Sequence, residues 1–154
     1  MIFNSFLNMP YVLARDEGKQ IYSFGELLTV VKATSEQTGG AFNLFEVTCP
    51  PGFTTSLVIH YAEDIAIYVL EGALTVFWGR EKREAVTGSY FYQPRGTPHG
   101  FRVQGTIPAR ILYLTFPGGM DEFVFEQGTL FPYFSECVMP AARHKIEILG
   151  ALPQ

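Results

Sequence analysis

Short apolar runs alternate with turn signals along most of the chain, at the regular spacing of a β-sandwich or barrel. Residues 21–32 read as two short strands around Gly25, and Thr38-Gly39-Gly40 as a turn. Residues 41–49 alternate apolar and polar positions, as a half-buried strand does, until Pro50-Pro51-Gly52 stops them. Further strands are predicted at 56–60, 65–70 and 74–78, separated by Ala62-Glu63-Asp64 and by Glu71-Gly72. Residues 79–83 read as a hairpin loop. Strands at 89–93 and 99–103 flank the proline-rich turn 94–98, and 109–116 is a last long strand. Pro117-Gly118-Gly119 breaks the pattern. Residues 121–127 suit a short helix, with Asp121 in its first turn and Gly128 as its stop, although a strand also fits them. Residues 130–154 show no clear period, so a short helical or irregular C-terminal segment is expected there.

Composition agrees with an all-β reading. Aromatics reach 15%, with 14 Phe and 8 Tyr, and such side chains suit half-buried pleated surfaces. The 154 residues are most simply one domain, 1–154, with a barrel core at about 41–116. The net charge of −4 and the absence of a basic block argue against nucleic acid and against an anionic membrane as partners. Arg80-Glu81-Lys82-Arg83-Glu84 is mixed in sign and reads as a solvated hairpin end. The first residues lack a basic stretch followed by a long apolar one, and no apolar run approaches the roughly 18 residues of a membrane span. A cytoplasmic protein is therefore expected, with Cys49 and Cys137 reduced and partly buried.

The candidate chemistry centres on His60 and His99. His99 ends the run Gly88-Ser89-Tyr90-Phe91-Tyr92-Gln93-Pro94-Arg95-Gly96-Thr97-Pro98-His99. Here Pro94 and Pro98 stiffen the connection, and Gly96 allows a positive φ, so that His99 enters a strand in a set orientation. In this run Gly88, Pro94, Gly96 and His99 resemble the second motif of the cupin superfamily, G-x5-P-x-G-x2-H-x3-N, with Val103 in place of the final Asn. The first motif, G-x5-H-x-H-x3–4-E-x6-G, maps through Gly52, His60 and Gly72. That alignment puts Val58 where the family has its first histidine and Ile65 where it has a glutamate. Met9-Pro10-Tyr11, Lys32-Ala33-Thr34, Pro50-Pro51-Gly52 and the tail 141–150 extend the similarity, towards single-domain cupins of the quercetin 2,3-dioxygenase-like kind. The resemblance implies a double-stranded β-helix, or jelly-roll, barrel with one pocket and often a dimer. In members with the full motif it also implies a divalent metal held by three histidines and a glutamate.

Strand alternation offers an independent reading. Residues two apart share a face, so Val58 joins His60, Ile65 joins Ile67, and His99 joins Phe101 and Val103. With those faces inward, two imidazoles sit on apolar walls, and the two motif substitutions lie inside the site. A non-haem iron site commonly takes two histidines and a carboxylate, and catalytic zinc keeps three protein ligands. Two imidazoles without an anion fall short of both. Glu63 or Asp64 would supply the anion only through a strand slip, which the match of Tyr68-Val69-Leu70-Glu71-Gly72 opposes. No cofactor is therefore expected.

The first reading is a metal-free pocket for a small, aromatic or apolar ligand, formed by Val58, Ile65, Ile67, Phe101 and Val103. His60 and His99 serve there as polar anchors or as acid/base catalysts of an isomerase, cyclase or lyase. A second reading is a metal-dependent quercetinase-like dioxygenase, with Fe, Mn, Ni, Cu or Zn held by His60, His99 and a further ligand. A third is a non-enzymatic sensor or scaffold. The phenols of Tyr61, Tyr68, Tyr90 and Tyr92 and the guanidinium groups of Arg95, Arg102 and Arg110 are expected to be structural or solvated.

Overall fold

A computed structural model describes residues 9–23, 26–130 and 138–154; Cys137 lies outside them. Among the described residues, eleven strands form two antiparallel sheets. The first sheet contains β1 (Lys19–Ser23), β2 (Leu27–Ala33), β3 (Asn43–Cys49), β5 (Asp64–Glu71), β8 (Tyr90–Gln93) and β10 (Ala109–Phe116), in the order β1-β2-β3-β10-β5-β8. The second contains β4 (Ser56–His60), β6 (Leu74–Trp78), β7 (Glu81–Ala85), β9 (His99–Val103) and β11 (Ile146–Ala151), in the order β11-β4-β9-β6-β7. Most of the strands from β3 to β10 cross from one sheet to the other, which is the jelly-roll arrangement of two packed layers that share one core.

The core follows from period-two alternation. In β3 the buried positions are Asn43, Phe45, Val47 and Cys49, and the residues between them are half-buried. In β10 Ala109, Ile111 and Thr115 are buried, facing the same interior. Cys49 is fully buried on this face, not partly as expected, and burial pushes its thiol up to about 12. It therefore acts as a small apolar side chain.

Three local expectations need correction or extension. Residues 79–83 are not all loop, because β7 starts at Glu81 and pairs with β6 through Trp78↔Glu81. Its charges mark a solvated sheet edge, which discourages pairing with other chains. The turn expected at 38–40 is present at Gly39-Gly40, and it closes a short helix, α1 (Ser35–Thr38). Thr34 caps it from its side chain, Gln37 reaches back to the Thr34 backbone, and Gly39 closes it in the left-handed region. The tail is more regular than its sequence suggests. It contains α3 (Val138–Arg143) and the strand β11, which pairs along β4.

The expected helix after Pro117 is present and longer, as α2 (Met120–Leu130). Its start is pinned by two buried polar side chains. Asn43 Oδ1 accepts from the backbone N–H groups of Gly119 (3.0 Å) and Asp121 (3.2 Å). The Asp121 carboxylate accepts from the backbone N–H (2.9 Å) and hydroxyl (2.7 Å) of Ser35. These bonds set α2 on the barrel with Met120, Phe123 and Val124 buried.

Candidate functional site

The two histidines come together. His60 ends β4 and His99 begins β9, and these strands are neighbours, with Val58 opposite His99. Both imidazoles are buried, and their rings lie 19° from parallel with centroids 5.2 Å apart. The turn of the second motif is tied to β4 directly: Gly96, at φ 81°, donates its N–H to the His60 carbonyl at 2.8 Å. A side chain at that φ is strained, which is the physical content of the motif glycine.

Each ring already uses its Nδ1. His99 Nδ1 lies 2.9 Å from the Thr97 carbonyl. A carbonyl only accepts, so Nδ1 carries the proton and Nε2 of the neutral ring keeps a lone pair. His99 is held neutral: burial, then the charge of His60, lowers its pKa to about 4, against a smaller opposing effect of the Thr97 carbonyl. His60 Nδ1 lies 2.7 Å from Glu63 Oε1, and both side chains are buried. A carboxylate on Nδ1 fixes the ring's orientation.

Glu63 is the residue that sequence reasoning valued too little. It reaches His60 from the turn between β4 and β5, with no slip of register. Asp64, the other acidic candidate, is turned to the Arg95 guanidinium and backbone N–H, which hold its carboxyl below the usual range. Glu63 also borders an outer groove with Gly118, Gly119, His144 and Lys145. The carboxylate thus stands between the inner histidines and the protein surface.

A cavity of about 110 Å³ lies inside the barrel and is lined by both histidines. Of the expected wall residues, Val58, Ile67 and Phe101 line it. Ile65 and Val103 are buried in the core but do not border the cavity. Further wall comes from elements whose role had no local signal: Met120, Phe123 and Val124 of α2, and Leu27 and Thr29 of β2. Polar lining is sparse. Tyr113 of β10 borders the cavity, and burial and the negative charge of Glu63 push its phenol up, so it is a donor at neutral pH. Gln93 lines the cavity and is 2% exposed. The exposed Tyr61, Tyr68, Tyr90 and Tyr92 are not among the lining residues. Of the arginines, Arg110 pairs with Glu46 and Glu71, while Arg102 stacks over the Phe77 ring.

The donor set does not fit the metal of the full motif. Among the described residues no group of three His, Cys, Asp or Glu side chains is placed to hold an ion. Val58 and Ile65 stand as buried apolar groups where the alignment puts the missing ligands. The nearby carboxylate of Glu63 is engaged on the Nδ1 of His60.

Comparison with known proteins agrees with topology and motif. Residues 45–115 match the Cupin domain family. Quercetin 2,3-dioxygenase of Bacillus subtilis (strain 168) is 33% identical over 112 residues, which cover 73% of this chain and 33% of that protein. The chain thus spans about a third of that relative's length. A sugar phosphate isomerase from a cupin superfamily, of Silicibacter pomeroyi, superposes with a TM-score of 0.60 at 20% identity, over 69% of this chain and 75% of its own. KdgF from Halomonas sp. gives a TM-score of 0.62 at 20% identity, over 74% of this chain and 99% of its own. These two likenesses speak for the fold alone. The second motif at β8 and β9, the two jelly-roll sheets and the related sequence agree with the match of residues 45–115 to the Cupin domain family.

Proposed function

We propose that this cupin binds a small, uncharged, largely apolar molecule inside its barrel and moves a proton on it without a metal. One observation carries the reading. Two buried imidazoles line an apolar cavity, and each has its Nδ1 occupied, which leaves Nε2 as the nitrogen available to a ligand.

The chemistry suited to this arrangement is a proton shift with no change of oxidation state, as in a tautomerisation. His60 Nε2 takes a proton from the ligand, and the Glu63 carboxylate stabilises the imidazolium that results. The Tyr113 phenol donates a hydrogen bond to oxygen as charge develops there. The same proton then returns to a second atom of the ligand. His99, neutral and close to His60, accepts a hydrogen bond from the ligand and orients it. Glu63 offers a route for proton exchange towards the outer groove.

The test is a binding screen of neutral one-ring compounds by ligand-observed NMR, followed by titration calorimetry on wild type, His60→Ala and His99→Ala. Binding by wild type, weakened about tenfold or more in each variant, is expected. Equal binding by all three proteins would overturn the reading, as would no binding by wild type. A metal-dependent dioxygenase is the second reading, favoured by the 33% identity to the Bacillus subtilis protein. One equivalent of metal in protein purified without chelator would replace the first reading with this one.

A further inference from the structure

Gln93 has no structural task that explains its side chain. It ends β8 opposite Ile65 of β5, on the inner face with Phe91. Pro94 follows it and stiffens the chain at that point. Its amide is buried, yet neither Nε2 nor Oε1 meets a hydrogen-bond partner among the described residues. A buried amide with both ends unmet is costly, and native structures rarely keep one without a use. A Leu or Met would fill the same space at lower cost. Gln93 also lines the cavity that holds His60 and His99.

We infer that the ligand of this cavity carries a neutral donor–acceptor edge, an N–H or O–H beside a C=O, that pairs with the Gln93 carboxamide. The inference rests on the proposed small-molecule reading and adds the chemical class. A primary amide offers one carbonyl acceptor and an NH₂ donor side by side, and its complement is a lactam or a hydroxy-carbonyl edge. The ligand is neutral because, among the described residues, no Lys, Arg, Asp or Glu lines the cavity to balance a charge. It is small because the cavity is about 110 Å³, short of the roughly 150 Å³ that holds benzene, and only its open side leaves room for a single ring to protrude. A single unsaturated ring bearing that edge meets all three conditions. The same edge places an exchangeable proton in a cavity with two imidazoles, which suits a proton shift between its two heteroatoms or to a neighbouring carbon.

Three single-ring probes separate the possibilities: 2-pyridone, which has the edge; N-methyl-2-pyridone, one methyl larger, which lacks the donor; and toluene, which has neither. Their dissociation constants are measured by NMR titration with wild type and Gln93→Met. In wild type, 2-pyridone is expected to bind tighter than its N-methyl form by about tenfold. The preference for 2-pyridone over toluene is expected to fall at least tenfold in Gln93→Met, while toluene binds that variant as well or better. Gln93→Leu gives the same comparison with a second side chain. If toluene binds and the ratios do not move with either substitution, the edge is wrong while the apolar cavity reading stands. If none of the probes binds wild type, both are overturned.

Discussion

His99 is neutral at physiological pH because charging it inside the barrel forfeits hydration and sets it against His60. A depressed pKa makes stability depend on pH in a fixed direction. Above about 6.5 both folded and unfolded chains carry a neutral His99, and the residue costs nothing. As pH falls from there towards about 4, the unfolded chain takes up the proton first and stability is lost. The full effect of this one residue is about 3 kcal/mol, because each tenfold loss of proton affinity on folding is worth about 1.4 kcal/mol. Denaturant unfolding of wild type and His99→Gln between pH 7 and pH 4 checks it. The wild type is expected to lose about 3 kcal/mol more than the variant over that range, and parallel curves would refute the assignment.

Between strands, the site depends on how closely β9 approaches the segment before β4. Gly100 sits in β9 between His99 and Phe101. A Cβ there would meet Leu152 Cδ2 at 2.5 Å, Thr55 Oγ1 at 2.7 Å and the Ser56 carbonyl oxygen at 2.8 Å. The Leu152 methyl can move, but the Ser56 backbone cannot without opening the sheet. The Phe101 N–H donates to Thr55 Oγ1 at 3.0 Å across the same gap. Gly100→Ala is therefore expected to cost about 1–3 kcal/mol, the usual range for overpacking. The variant should also weaken ligand binding, because it displaces the strand that carries His99. Chemical denaturation monitored at Trp78 reads the first effect, and unchanged stability would mean that the approach is looser than described. Helix α2 works at this level too, since the Asn43 and Asp121 hydrogen bonds bring Phe123 and Val124 to the cavity.

For the whole molecule, two sheets and a helix close around the cavity that holds His60 and His99. Val58 and Ile65 are 4% and 1% exposed, so both substitutions lie in the interior. Val58→His with Ile65→Glu restores three histidines and a carboxylate, a set that suits a divalent first-row metal. The double variant is expected to bind one equivalent of cobalt or manganese in a spectroscopic titration, where wild type takes none tightly. Without metal it should be less stable than wild type, because it buries a carboxylate, and metal should restore the loss. If the double variant takes up no metal, Ile65 does not occupy the glutamate's place in the barrel.

The inward faces of β4, β5 and β9 were legible in the residues because alternation is local: each side chain's face follows from its neighbour two positions away. The same logic carried Val58, His60 and His99 to one interior, and the Gly88–His99 spacing identified the turn that aims His99. The Thr34–Gln37 capping box was also present in the sequence, and the turn reading passed over it. Other features had no local signal. Glu63 meets His60 through the bend of one tight turn, and its value depends on burial that no alternation encodes. Tyr113 and α2 border the cavity because separate elements pack across the barrel, and β11 covers β4 from far along the chain. Gln93 looked like any polar residue beside a turn, and only the packed barrel shows that its amide has no partner among the described residues. Local geometry therefore chose the faces and the two histidines. Long-range packing alone decided which groups surround them, because burial and hydrogen-bond partnership belong to the folded interior and not to any stretch of chain.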